Sequence, residues 1–203
     1  ECGEPEGLGA LANNDCSREI KMDLQNKVAI VTGGNGGLGQ RICVALANVG
    51  CKVAVVYAKS KEQAEEVASG LDTEAIAVSC DLTQASDIQN MVDQVLAHFG
   101  QIDILVNDAA YNKWIPFDDL DALTLEEWDK ILSVNLTGPM LCIKAVAPSM
   151  KEQGAGRVIN ISSIAGLGPS GSSIPYAVSK AGLNHLTKCM AVGLAPEVTV
   201  NGL

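Results

Sequence analysis

Tyr176 and Lys180 stand four residues apart in Tyr-Ala-Val-Ser-Lys, and Ser163 lies thirteen residues before the tyrosine. On a helix, residues i and i+4 share one face, so a phenol and an ammonium would enter the same space. A phenol ordinarily keeps its proton at neutral pH, with a pKa of about 10. A neighbouring positive charge favours the phenolate, which makes such a pair suited to giving and taking a proton. A serine hydroxyl approaching from the end of a preceding strand adds a neutral hydrogen-bonding group. By itself Tyr-x-x-x-Lys is more often an ordinary solvated helix pair, so its meaning depends on the elements that position it.

Those elements alternate between short apolar runs and helical patterns. Val28–Val31, Val53–Val56, Ala75–Val78 and Ile102–Val106 read as strands. The intervening helices carry apolar residues at Ile42, Leu46 and Val49, over Lys61–Leu71, and over Ala85–Phe99, with Gly50 and Gly100 as stops. Strands apolar throughout, alternating with helices, predict a doubly wound parallel α/β sheet covered on both faces. Thr124–Met150 reads as one long helix with a capping box at Thr124-x-x-Glu127 and a kink at Gly138-Pro139. Arg157–Ser163 reads as a strand, Pro175–Leu194 as a helix, and Val198–Asn201 as the start of a sixth strand. Residues 1–22, rich in Gly, Asn and acidic residues, read as a flexible leader, and 23–203 as one domain.

The turn after the first strand, Thr32-Gly33-Gly34-Asn35-Gly36-Gly37-Leu38-Gly39, opens a helix. Glycines there let the backbone approach a pyrophosphate, and the helix offers it unpaired N–H groups and a positive dipole end. Two registers fit: Gly34-x-Gly36-x-x-Gly39 and Thr32-Gly33-x-x-x-Gly37-x-Gly39. The position after a strand and before a helix makes a dinucleotide site the better reading than a structural turn. An NAD site usually has a carboxylate ending the second strand. Here that end reads Tyr57-Ala58-Lys59-Ser60-Lys61, which would receive a 2′-phosphate, so NADP is favoured and NAD is the alternative. Asp81, ending the third strand, reads equally as an acceptor for an adenine amino group and as the cap of the next helix.

Composition narrows the partners. At 203 residues with 47% apolar content the chain can bury a substantial core. A net charge of −10 without a basic stripe disfavours nucleic acid and anionic membranes, leaving a small-molecule ligand. Seven scattered cysteines without a Cys-x-x-Cys spacing argue against a disulfide framework or a zinc site, and no metal is expected. The first residues lack a signal-peptide pattern, and no run approaches the roughly 20 apolar residues of a spanning helix. The expected compartment is the cytoplasm. His98 and His185 have no metal-ligand partner, and Trp114 and Trp128 read as packing or substrate-loop residues.

From Leu24 to the last residue the chain resembles the short-chain dehydrogenases/reductases. The resemblance rests on Thr32-Gly33-x-x-x-Gly37-x-Gly39, Asp81-Leu82, Asn107-Asp108-Ala109-Ala110, Asn135, Ser163 and Tyr176-x-x-x-Lys180, in order and at the family's spacings. It selects the threonine register of the glycine turn. It implies a Rossmann-type fold, NADP or NAD as cofactor, reversible oxidation of an alcohol to a carbonyl, and a homo-oligomer, a tetramer or dimer. From Trp114 onward the sequence is similar to bacterial-type relatives of glucose dehydrogenases and 3-oxoacyl-carrier-protein reductases. By resemblance, Tyr176 is the general acid/base and Ser163 polarises the carbonyl, while Lys180 binds the cofactor ribose and Asn135 holds a water linked to that lysine. Asn135 also reads as a local helix irregularity beside Gly138-Pro139. Gly33, Asn35, Gly36, Gly37, Leu38, Gly39, Tyr57, Lys59, Asp81, Leu82, Asn107 and Ala109, with Tyr176 and Lys180, are the expected cofactor contacts.

Two departures stand out. The family's Asn-Asn-Ala-Gly is Asn107-Asp108-Ala109-Ala110 here, and a carboxylate cannot donate as an amide does. If the second position bridges strands, Asp108 loses a bond or is protonated, weakening that edge. The family's pattern also continues beyond Val200-Asn201 through a Pro-Gly turn, a substrate-covering segment and a last strand. The expectation is a fold short of these parts, with a non-catalytic nucleotide-binding or assembly protein as the competing reading.

Overall fold

The computed structural model describes residues 23–203; the expected leader lies outside the described residues. Six strands form one parallel sheet: β1 Val28–Thr32, β2 Lys52–Tyr57, β3 Ala75–Ser79, β4 Ile104–Asn107, β5 Gly156–Asn160 and β6 Val198–Gly202. Their order is β3-β2-β1-β4-β5-β6, so the chain reverses direction across the sheet between β1 and β4. The reversal leaves a crevice at the carboxyl ends of these two strands, the usual ligand position in an open α/β sheet.

Helices α1 (Gly37–Asn48) and α2 (Lys61–Ser69) cover one face. Their core contains Ala29, Val31, Cys43, Val53, Val55, Ala64 and Val106. Helices α3 (Ala85–Phe99), α5 (Gly138–Glu152) and α6 (Ile174–Leu194) cover the other. Its larger core joins Ile30, Val56, Ile88, Val92, Leu105, Ile143, Met150 and Val158. Alternate residues of a strand serve opposite faces, so Val31 belongs to the first core and Ile30 to the second.

Four expectations about the elements are corrected. The long helix is α4 (Leu125–Leu132), a five-residue π turn over Ser133–Thr137, and α5, rather than one kinked helix. Pro139 has no N–H to give the Asn135 carbonyl four residues back, so the regular α register fails there and a wider turn takes its place. Thr124 caps α4 by accepting from the Glu127 N–H at 3.3 Å, but the Glu127 carboxylate turns to Tyr111 and Lys113 and leaves the box half made. Strand β5 stops at Asn160, before the two serines, because the chain then curls into a 3₁₀ turn over Ile164–Gly166. Finally, Leu125–Glu152 is long and apolar enough to cross a membrane, with a mean hydropathy of 1.4 over its best window. Cys142, Ile143, Val146 and Met150 of that segment are buried in the protein core, and Asn135 is buried in a polar network, which accounts for its composition without a bilayer.

Candidate active site

The glycine turn is shaped by close backbone approach. Gly33 has φ +67°, and a Cβ there would stand 2.9 Å from the Ala109 Cα; a Cβ on Gly39 would run into the Gly33 carbonyl. Thr32 ties β1 to β4, its Oγ1 accepting from the N–H groups of Asp108 (3.1 Å) and Ala109 (3.2 Å). Among the described residues no side chain caps the N-terminus of α1, and Gly36 and Leu38 at that end line the crevice.

The crevice has a volume of about 890 Å³. Of the expected cofactor contacts, Gly33, Asn35, Gly36, Leu38, Tyr57, Lys59, Asp81, Leu82 and Ala109 line it, whereas Gly37, Gly39 and Asn107 do not. Asn35 donates to the Lys59 carbonyl at 3.0 Å, fixing the glycine turn against the end of β2. Ser60 sits at the N-cap of α2 with φ +60° and makes no capping bond, and Lys61 pairs with Glu65 at 3.4 Å. Asp81 is not the cap of α3, which is Gln84. Its carboxylate accepts from the Thr83 N–H (2.9 Å) and hydroxyl (2.8 Å), closing a turn at the rim.

Asn135, Ser163, Tyr176 and Lys180 are not in its lining; Asn135 joins it through the Tyr111 backbone and Lys180 lies within electrostatic reach of Asp108. Ser173 caps α6 through the Tyr176 N–H at 3.3 Å, which puts the phenol in the first turn. Lys180, one turn further on, is 3% exposed; its Nζ donates to the Ile161 carbonyl at 2.7 Å and lies 5.8 Å from the Tyr176 ring centroid. Burial lowers the Lys180 pKa and the Asp108 carboxylate opposes that shift. Burial likewise raises the Asp108 pKa, against the pull of Lys180. The two charges therefore sense each other across the end of the crevice. Ser163 begins the 3₁₀ turn, its Oγ accepting from the Ala165 N–H at 3.1 Å. Among the described residues its hydroxyl proton has no acceptor, so it is free to donate.

The Asn135 side chain grips the Tyr111 backbone and Ser179. Its Oδ1 accepts from the Tyr111 N–H (2.7 Å), while its Nδ2 donates to the Tyr111 carbonyl (2.9 Å) and to Ser179 Oγ (3.2 Å). Ser179 in turn donates to the Tyr176 carbonyl at 2.7 Å. The π turn, the loop after β4 and the first turn of α6 are thus joined through one buried amide. The strand bridge expected of Asp108 belongs to Asn107, whose Nδ2 donates to Asn160 Oδ1 at 2.9 Å. Asn160 passes the connection to Thr187 Oγ1 on α6 at 2.9 Å. Asp108 contributes its backbone N–H to Thr32, and among the described residues its carboxylate receives no hydrogen bond. Asn160, Thr187, Tyr111 and Asn184 were not singled out by the sequence reading. The signal for two of them is the polar stripe Lys180, Asn184 and Thr187 on the sheet-facing side of an otherwise apolar helix.

A six-stranded parallel sheet with a glycine turn at its reversal point defines a dinucleotide-binding α/β fold. Residues 27–203 match the family model for short chain dehydrogenase, and the chain belongs to that family. It is 38% identical to a 3-oxoacyl-[acyl-carrier-protein] reductase of Synechocystis sp. over 185 residues, covering 89% of this chain and 73% of that protein. It is 39% identical to human dehydrogenase/reductase SDR family member 4 over 184 residues, covering 89% of this chain and 65% of that one. Among solved structures, NAD+-bound xylitol dehydrogenase superposes with a TM-score of 0.84 at 30% identity, over 89% of this chain and 70% of that chain.

Proposed function

We propose that this chain is an oxidoreductase that moves a hydride between NADP(H) and a secondary alcohol or ketone. The observation that carries the reading is a buried Lys180 beside the Tyr176 ring on α6, with the 3₁₀ turn that Ser163 caps packed against the same helix and, among the described residues, no acceptor for the Ser163 hydroxyl proton. The residues present fit a dinucleotide. Gly33 and Gly39 leave a backbone cradle that a side chain would fill, the α1 N-terminus is uncapped, and the crevice has the size of a cofactor site.

When bound, the nicotinamide supplies or accepts the hydride. In the reducing direction Ser163 donates a hydrogen bond to the carbonyl oxygen, and Tyr176 gives that oxygen the proton from its phenol. The Lys180 ammonium, held by the Ile161 carbonyl, stabilises the phenolate that remains and supplies a donor to a ribose hydroxyl. Asn135 keeps the Tyr111 backbone and Ser179 in place behind the tyrosine. The preference for NADP is supported by Lys59 and Ser60 on the crevice wall and the lack of a carboxylate from Tyr57 to Lys61. The substrate in this reading is a small alcohol or carbonyl compound, and the working form is a cytoplasmic homo-oligomer, a tetramer or dimer.

Titrating the protein with NADPH and NADH by fluorescence, then adding a simple ketone such as ethyl 3-oxobutanoate, tests the proposal. NADPH should bind at least about tenfold more tightly, the worth of one added charge-assisted contact to the 2′-phosphate, and be oxidised when the ketone is added. Binding without oxidation across a panel of ketones would overturn the catalytic reading, and equal affinities would overturn the NADP preference.

A further inference from the structure

The 3₁₀ turn that carries Ser163 has little apolar anchorage. Ile164 and Leu167 are 81% and 83% exposed, and Ala165 is its one buried side chain. Its position therefore depends on polar contacts. Two of these converge on Asn184, one helical turn beyond Lys180 on α6. Asn184 Oδ1 accepts from the Ser162 hydroxyl at 2.5 Å, and Nδ2 donates to the Gly166 carbonyl at 3.3 Å. The Lys180 carbonyl also lies 3.5 Å from Ser162 Oγ, but a hydroxyl has one proton and the shorter contact takes it. One amide thus holds the chain on both sides of Ser163. Gly166 shows how closely the turn is drawn in: a Cβ there would stand 2.7 Å from both Asn184 Nδ2 and the Lys180 backbone.

We infer that Asn184 and Ser162 form a positioning clamp that holds the Ser163 hydroxyl in register with the Tyr176–Lys180 face of α6. Neither residue touches the reacting atoms; both act through Ser163, so the inference rests on the proposed role of that serine. Asn184 fits the task because it both accepts and donates, and because it shares a helix face with Lys180. Any shift of the turn relative to the tyrosine must break one of its two bonds.

The test compares the full chain with Asn184→Ala, Ser162→Ala and Ser162→Thr, which keeps the hydroxyl. A fourth variant, Asn184→Asp, keeps the shape and the acceptor but sets a carboxylate oxygen against the Gly166 carbonyl. Amide hydrogen exchange is read over residues 161–167, and turnover is measured with NADPH and ethyl 3-oxobutanoate, including the isotope effect with 4-deuterated NADPH. Both alanine variants and Asn184→Asp should speed exchange in the turn about tenfold. They should lower kcat by roughly ten- to a hundredfold with NADPH affinity unchanged and a larger isotope effect, and Ser162→Thr should behave as wild type. Unchanged exchange in the turn, or a loss of kcat that only follows a fall in Tm with the isotope effect unaltered, would overturn the clamp. Should the wild-type chain fail to oxidise NADPH, the proposed function fails, while the exchange data still decide whether Asn184 and Ser162 hold the turn.

Discussion

The two halves of this molecule are built on different principles. Around β1, β2 and β3 the interior is almost wholly apolar, and among the described residues Thr32 is the only buried polar one there. The other seven buried polar residues among those described, Asn107, Asn135, Asn160, Ser173, Ser179, Lys180 and Thr187, belong to the half that holds β4, β5, the π turn and α6. The first half forms its part of the crevice with backbone: glycines that allow close approach and a helix end that offers N–H groups. The second forms its part with side chains whose buried polar atoms cost free energy wherever a partner is missing. A backbone cradle tolerates many sequences that keep its glycines. A network of buried amides and hydroxyls admits far fewer arrangements and so fixes its groups more narrowly.

The strongest break in this comparison is Tyr176→Phe. The variant should lose turnover by about a thousandfold or more, because the proton carrier is removed, while coenzyme affinity measured by fluorescence titration stays within about twofold. Wild-type turnover in that variant would sink the proposed mechanism. Gly39→Ala should do the reverse. Its Cβ would collide with the Gly33 carbonyl, so the turn must open. Coenzyme affinity should fall at least about a hundredfold, with a stability loss of roughly 3 kcal/mol by urea denaturation, and saturating coenzyme should restore much of kcat.

The smallest effect sharpens the comparison at the junction of the halves. The Asp108 pKa is raised in the folded protein, chiefly by burial. Below the unfolded value the group is protonated in both states and costs nothing. The cost appears as pH rises and is complete above the folded pKa. Asp108→Asn should therefore raise Tm by a few degrees at pH 7 and leave it unchanged near pH 3, a modest gain because the carboxylate is only half-buried. Asp108 also raises the Lys180 pKa against burial. The same variant should then lose activity at a lower pH on the alkaline side, as read from a pH–rate profile; an unshifted limb would show that the two charges do not communicate.

Much of the first half was legible in the sequence because its signals are local. Apolar runs bounded by glycines placed β1, β2 and β3 within a residue or two, and Ala85–Phe99 is α3 as expected. The second half was less so. The turn at Ser163 is tied to Asn184, more than 20 residues downstream, and the strand end at Asn160 to Thr187, and no local pattern announces either pairing. The Asn135 side chain grips the backbone of Tyr111 rather than a group named by any motif, and Asp81 closes a turn where its sequence position equally suggested a helix cap. The spacing of Ser163, Tyr176 and Lys180 was readable; the polar connections that hold these residues together were not.

The π turn at Ser133–Thr137 lets this part of the chain hold one residue more than a regular helix would carry over the same rise, without changing the phase of its flanks. Closing the same residues into an uninterrupted α-helix would rotate one flank against the other by about 100°, the angle of one helical residue. Either Ile131 of α4 or the Ile143, Val146 and Met150 face of α5 would then turn out of the core, and Asn135 would lose its alignment with the Tyr111 backbone. Deleting one residue of the turn would instead leave both faces in phase and remove only the bulge. The wider turn thus sets the phase between two helices that must both face the core.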